Sequence, residues 1–163
     1  MDQAQMLTKS AQAVQEALAN KGLSCQVIEL PDSARTAQDA AVAIGCDVAQ
    51  IMKSLIFKTE STNQAVLLLV SGPNRVNEKI IESYVGEKIV KADAQFAKDV
   101  TGFAIGGIPP IGHKHKIEHI FIDEDLMKFD VVWAAAGTPQ AVFSLRGDDL
   151  LKMVSAKLIS FHQ

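Results

Sequence analysis

The chain has 163 residues, 48% of them apolar and 21% charged, and a formal net charge of −3 at pH 7. That length and balance predict one well-cored domain over residues 1–163 and exclude a disordered chain. The acidic total excludes a protein that grips nucleic acid, DNA above all, by bulk charge, and the apolar run at 65–70 is far short of the ~20 residues that span a bilayer.

Asp2, Gln3 and Gln5 stand where a signal peptide would carry its basic start and apolar stretch, and the two cysteines, Cys25 and Cys46, have no metal-type spacing. Both features predict a cytoplasmic protein. Charge is unevenly spread. Residues 51–116 hold nine basic and six acidic side chains, and theirs is the one positive balance along the chain, compatible with a local anionic ligand.

Residues 5–20 read as a helix with Leu7, Ala11, Val14 and Leu18 on one stripe and a stop at Asn20-Lys21-Gly22. Residues 25–30 read as a strand ended by Pro31, and residues 36–44 as an alanine-rich helix opened by Thr36 and closed by Gly45. A short helical turn at 47–51 leads into a strand over 51–57. The run 65–70 is apolar on both faces, which predicts a central strand, joined to the preceding one as a hairpin through Glu60-Ser61-Thr62-Asn63. Helices at 77–84 and 93–100, the second capped by Asp93, flank a short strand at 89–90. Strands at 119–122, 131–136 and 141–145 follow, with a turn at Asp123-Glu124-Asp125 that reads as solvated and another at 137–140, before a closing helix at 148–154. Strands and hairpins outnumber those of a simple alternating parallel fold. The expected architecture is therefore α/β of the α+β kind, with a mixed, strongly curved sheet and helices around it.

Two stretches carry the chemistry. In Ile51-Met52-Lys53-Ser54-Leu55-Ile56-Phe57, strand alternation puts Lys53 on a face with Leu55 and Phe57, and Ser54 on the other with Ile56. An ammonium on an apolar face either snorkels to the strand's open end or sits at the floor of a pocket to meet something negative. The second stretch, residues 101–113, is rich in glycine and proline, which predicts a stiff loop with unusual exposed backbone. Its bland alternative is a long turn with no ligand.

Other chemistries lack their patterns. His113, His115 and His119 do not have the spacing of a helix-face metal pair, and no metal or other cofactor is expected. There is no Gly-x-Ser-x-Gly elbow, Walker loop or dinucleotide fingerprint. Arg75 and Lys79, four apart, are either a solvated pair or a phosphate contact.

The run 50–57, the segment Gly106-Gly107-Ile108-Pro109-Pro110-Ile111-Gly112-His113 and the later Ala136-Gly137 before a strand and closing helix follow one another in a specific order. In these motifs the chain resembles the YbaK/ProX superfamily of aminoacyl-tRNA deacylases, free-standing relatives of the editing domain of bacterial prolyl-tRNA synthetase. The resemblance implies that superfamily's partly barrel-like sheet. It also implies a hydrolase that cleaves the ester of mischarged aminoacyl-tRNA, carrying alanine, serine or threonine on tRNA for proline.

By position, Lys53 matches the family's essential lysine and Ser54 a small polar position, and both are candidate catalytic residues. Gly106, Gly107, Ile108, Pro109 and Pro110 match the family's Gly-x-x-x-Pro loop, with Gly112 and His113 beside it and Gly137 in the late motif, all candidate substrate contacts. Because Pro109 and Pro110 have no amide hydrogen, oxyanion donors are sought at Gly106, Gly107, Ile108 or the Ile111-Gly112 pair. Ala135 and Val142 stand where the cysteinyl-tRNA branch has serine and aspartate, which disfavours that branch's chemistry. The partner implied is the acceptor end of aminoacyl-tRNA, helped by prolyl-tRNA synthetase or an elongation factor, with no membrane. The rival expectation is a non-catalytic module of the same fold that binds a nucleotide, an RNA end or an amino acid.

Overall fold

The computed structural model describes residues 7–31 and 36–161. Helix α1 (Lys9–Asn20) starts at Thr8, whose hydroxyl accepts from the Ala11 amide, and turns Ala11, Val14 and Leu18 into the core. Residues 5–6 of the predicted helix lie outside the described residues. After β1 (Ile28–Glu29), α2 (Ala37–Ile44) runs between the Thr36 cap and Gly45, which ends it at a φ of 86°. A 3-10 helix (Val48–Gln50) with an Asp47–Gln50 capping box delivers the chain into β2 (Ile51–Thr59). Then come β3 (Ala65–Ser71), α3 (Glu78–Val85), β4 (Ile89–Lys91), α4 (Ala94–Thr101) and β5 (His119–Asp123). A second 3-10 helix (Glu124–Lys128), β6 (Val131–Ala135), β7 (Ala141–Arg146), α5 (Gly147–Met153) and β8 (Lys157–Ile159) complete the chain.

The strands form one mixed sheet in the order β1-β7-β6-β2-β3-β5-β8, with β4 added to β2. The path is open at β1 and β8, so the sheet does not close into a barrel. As its two-sided apolar pattern predicts, β3 is central: Val66 to Val70 are fully buried. Its Leu67 and Leu69 join α1, Phe103, Ile108 and Phe143 on one face, while Val66, Leu68 and Val70 join Ile81 and Phe161 on the other.

One detail of pairing shapes the molecule. β2 pairs with β3 from Met52 to Lys58, but on its other edge it meets β6 only at Ile51 and Met52 and β4 only from Phe57 to Thr59. Those two strands diverge, so among the described residues no strand covers that edge of β2 from Lys53 to Ile56. A gap in the sheet opens there.

Three expectations need correction. The strand expected at 25–30 shrinks to Ile28–Glu29, because the Gln15 side chain takes the ladder's place. It donates to the Cys25 carbonyl (2.8 Å) and accepts from the Val27 amide (2.9 Å). β8 was not foreseen, being three residues long and paired to β5 alone among the strands. The turn at 123–125 is not simply solvated, since Asp123 is fully buried, its Oδ2 accepting from the Ser71 amide at 3.1 Å.

Candidate active site

The gap beside β2 is the mouth of a cleft of about 250 Å³. Its floor is Ile51 to Leu55, one wall is Trp133, Ala134 and Ala135 of β6 with Val142 of β7, and the other is Ile105, Gly106 and Ile108. Thr36, Ala37 and Ala40, at the start of α2, close one end. The volume is below the several hundred Å³ of drug-sized pockets and suits a small group. A larger depression of about 810 Å³ lies between α1 and residues 23–29, but its one thiol, Cys25, is held protonated by burial and the nearby Asp149 carboxylate.

Lys53 and Ser54, adjacent in sequence, leave β2 on opposite faces and both border the cleft. Lys53 Nζ donates to the Asn74 carbonyl at 3.1 Å. Burial, and then the Arg75 guanidinium, hold this amine below its ordinary value, while the Asp123 carboxylate opposes them. Arg75, exposed on the turn beside Asn74, and the buried Asp123 carboxylate thus act on this amine in opposite directions. Ser54 Oγ is buried and has no hydrogen-bond partner among the described residues. A buried hydroxyl left unpaired costs ~1–3 kcal/mol, so it is a poised contact for a ligand.

The glycine- and proline-rich loop is held at both ends. Thr101 Oγ1 bonds the Ala97 carbonyl (2.7 Å) and both backbone groups of Phe103 (3.0 Å), and the Lys114 and His115 amides return to the Thr101 and Val100 carbonyls. Inside it, the Gly107 amide donates to the Ala104 carbonyl (3.0 Å), and the Gly107 carbonyl accepts from the Gly137 amide (2.8 Å). A Cβ on Gly107 would lie 2.7 Å from the Thr138 backbone, so glycine is required for the two loops to touch. His113 Nε2 donates to the Pro109 carbonyl at 2.7 Å, and burial keeps that ring neutral by lowering its pKa.

The structure therefore divides the residues singled out in the sequence. Lys53, Ser54, Gly106 and Ile108 line the cleft, whereas Gly107, Pro109, Pro110, Gly112, His113 and Gly137 do not. Gly107, His113 and Gly137 brace the loop from behind, and Gly112 packs on Ala17 of α1. The Gly107 and Gly137 amides are engaged, whereas those of Ile105, Gly106 and Ile108, the loop residues that line the cleft, have no acceptor among the described residues. Ala135 and Val142 both line the cleft, which makes that wall apolar.

Sequence reasoning missed Asn74, Asp123, Trp133 and the α2 contribution. The bond from Asn74 Nδ2 to Asp123 joins residues 49 apart and leaves no local pattern. Trp133, the chain's sole tryptophan, was a signal that could have been used. Among the described residues no three His, Cys, Asp or Glu side chains are arranged to hold a metal.

The sequence pattern of the aminoacyl-tRNA editing domain family matches residues 31–153. The uncharacterized protein YwhH of Bacillus subtilis is 29% identical over 132 residues, covering 81% of this chain and 83% of that protein. The proline–tRNA ligase of Brachyspira hyodysenteriae is 33% identical over 100 residues, 61% of this chain but only 17% of the ligase. Among solved structures, a candidate trans-editing enzyme for prolyl-tRNA synthetase superposes with a TM-score of 0.91 at 42% identity, over 97% of this chain and 99% of that one.

Proposed function

The chain belongs to the aminoacyl-tRNA editing domain family, and on that footing we propose that it hydrolyses the ester of tRNA for proline mischarged with alanine, serine or threonine. The observation that carries this reading is the convergence of Lys53, the unpaired Ser54 hydroxyl and the free Gly106 and Ile108 amides on one small cleft with apolar walls. Ester hydrolysis passes through an oxyanion. The two amides are donors for it, on a loop whose neighbouring Gly107 amide and carbonyl are already engaged. Lys53, as ammonium, meets the terminal phosphate or ribose together with Arg75 and sets the ester against the amides. The nucleophile is then water or a hydroxyl of the substrate itself.

Selection rests on volume and polarity. Trp133 and Ile51 help bound the space of about 250 Å³, and one methylene is worth only ~1–3 kcal/mol in such a pocket. The acidic total charge suits brief contact with the acceptor end, in the cytoplasm, with prolyl-tRNA synthetase or an elongation factor as helper. Support for the tRNA comes from the proline–tRNA ligase relatives and the trans-editing neighbour.

The test is the rate of ester loss from tRNA for proline charged in turn with alanine, serine, threonine, cysteine and proline. Loss above background for a small residue, with prolyl-tRNA spared, is the expected result; background rates throughout overturn the proposal. Ser54→Ala separates stability from activity. It removes a buried unpaired group, so the thermal midpoint holds or rises, while kcat/KM falls about tenfold because the substrate loses a hydrogen-bond partner. A lower midpoint with unchanged kcat/KM contradicts the assigned contact.

A further inference from the structure

We infer that Asn74 and Asp123 form a clamp that holds Lys53 in its working position, making both of them positioning residues of the site. The inference rests on the reading of the cleft as a deacylase site and adds to it the device that orients its cation. Lys53 does not touch a carboxylate directly. Its Nζ donates to the backbone carbonyl of Asn74, so the place of the ammonium is set by the place of one peptide group.

That peptide is fixed from several sides. The Asn74 amide closes a turn onto the Ser71 carbonyl at 2.9 Å. The Asn74 side chain donates to Asp123 Oδ2 at 2.8 Å and to Asp125 Oδ2 at 2.7 Å, which uses both of its amide hydrogens and fixes which end of the group is nitrogen. Asp123 is itself locked: Oδ2 also accepts from the Ser71 amide, and Oδ1 accepts from the Asp125 amide at 3.0 Å. Ser71 Oγ donates to the Ala49 carbonyl at 2.6 Å, and a Cβ on Gly72 would collide with the Val48 carbonyl oxygen. The turn is therefore wedged between the two 3-10 helices, and its carbonyl cannot drift.

A surface turn serving only to join β3 to α3 has no need of a fully buried carboxylate spanning 49 residues to reach it. Burying an anion is costly unless a cation and donors compensate. Asp123 has donors from Ser71, Asn74 and Asp125, and its field acts on Lys53. The charged groups acting on the amine are Arg75 and Asp123, with Asp125 and its ion-pair partner Lys128 (2.9 Å) one bond further out. Asp123 is thus the one carboxylate that favours the ammonium against burial and Arg75. The clamp places the charge, and Asp123 offsets part of what burial and Arg75 take from it.

The test uses Asn74→Ala and the isosteric Asp123→Asn in the full chain, with two readouts. In the first, kcat for ester hydrolysis falls about 10- to 100-fold while KM stays within about twofold, as expected when a catalytic group is misplaced by an ångström or less. In the second, the Lys53 side-chain carbon resonance is titrated in lysine-labelled protein, and its midpoint in Asp123→Asn moves further below that of the wild type. Asp123→Asn keeps the shape of the network and guards against misfolding of Asn74→Ala. Unchanged kcat and an unchanged Lys53 midpoint in a folded variant overturn the clamp. If the wild type hydrolyses no ester at all, the proposed activity fails, and the Lys53 titration by itself still supports or overturns the clamp.

Discussion

Lys53→Ala lowers kcat/KM for ester hydrolysis by about 100- to 1,000-fold, because the group that anchors the substrate and sets its ester against the amide donors is removed. The size follows from the surroundings. The amine lies at the gap where β6 and β4 part from β2, and in the described structure no other lysine lines the cleft. Arg75 cannot take its place, because it follows Asn74 on the turn and is exposed rather than set into the floor. The same change does not destabilise the fold. Burial and Arg75 already depress the Lys53 pKa, so at neutral pH the folded chain carries the cost of keeping this amine charged, and alanine relieves it. That cost is present in full below the folded pKa and fades as pH rises from there towards 10.5. Activity that needs the ammonium falls over the same alkaline range, earlier than an unperturbed lysine would allow. Measured urea midpoints and rates should therefore move apart: rate lost, midpoint kept or raised. Loss of both together would mark Lys53 as a structural residue.

Gly137→Ala produces a large loss of stability, about 2–4 kcal/mol, by combining backbone strain with overpacking. Gly137 has a φ of 98°, and a Cβ there would lie 2.7 Å from the Ser10 carbonyl oxygen at the start of α1. Neither neighbour can yield easily, since the Gly137 amide is bonded to the Gly107 carbonyl and Ser10 belongs to a helix buried along one face. Gly45→Ala is the control. Gly45 has a φ of 86° with nothing within 4 Å of the added carbon, so it reports strain alone, about 1 kcal/mol. The excess of the first variant over the second in urea unfolding measures the close approach of α1 to the 137–140 turn. Because that turn braces Gly107, the substitution also displaces Gly106 and Ile108 and lowers deacylation. Equal effects of the two variants would mean that α1 gives way freely.

Most of the fold was legible in residue patterns because the patterns are strong. β3 has no polar residue from 65 to 70, and two helices begin at the side-chain caps read in the sequence, Thr36 and Asp93, whereas α1 starts at the Thr8 cap and not at residue 5. What escaped was set by contacts distant in sequence. The span from Cys25 to Val27 has the composition of a strand, yet its backbone is held by Gln15 from a helix. β8 exists only because β5 offers an edge. In the site, Lys53 was legible as a cation out of place on an apolar face, and the 101–113 loop as backbone set apart for a purpose. The division of labour within that loop was not legible, because it depends on which amides are spent on Ala104 and Gly107 and which are left for a ligand. Nor could Asp123 be separated from its acidic neighbours, since only tertiary pairing with Ser71 and Asn74 takes it out of water.

Whether the cleft beside β2 receives the aminoacyl end is decided by nuclear magnetic resonance of the labelled chain with a hydrolysis-resistant amide of 3′-amino-adenosine carrying alanine or serine. Saturable shifts at the amides of Lys53, Ser54, Gly106 and Ile108, lost in Lys53→Ala, are the predicted result. Shifts confined to the depression beside Cys25, or none at a concentration that saturates an editing site, would contradict it.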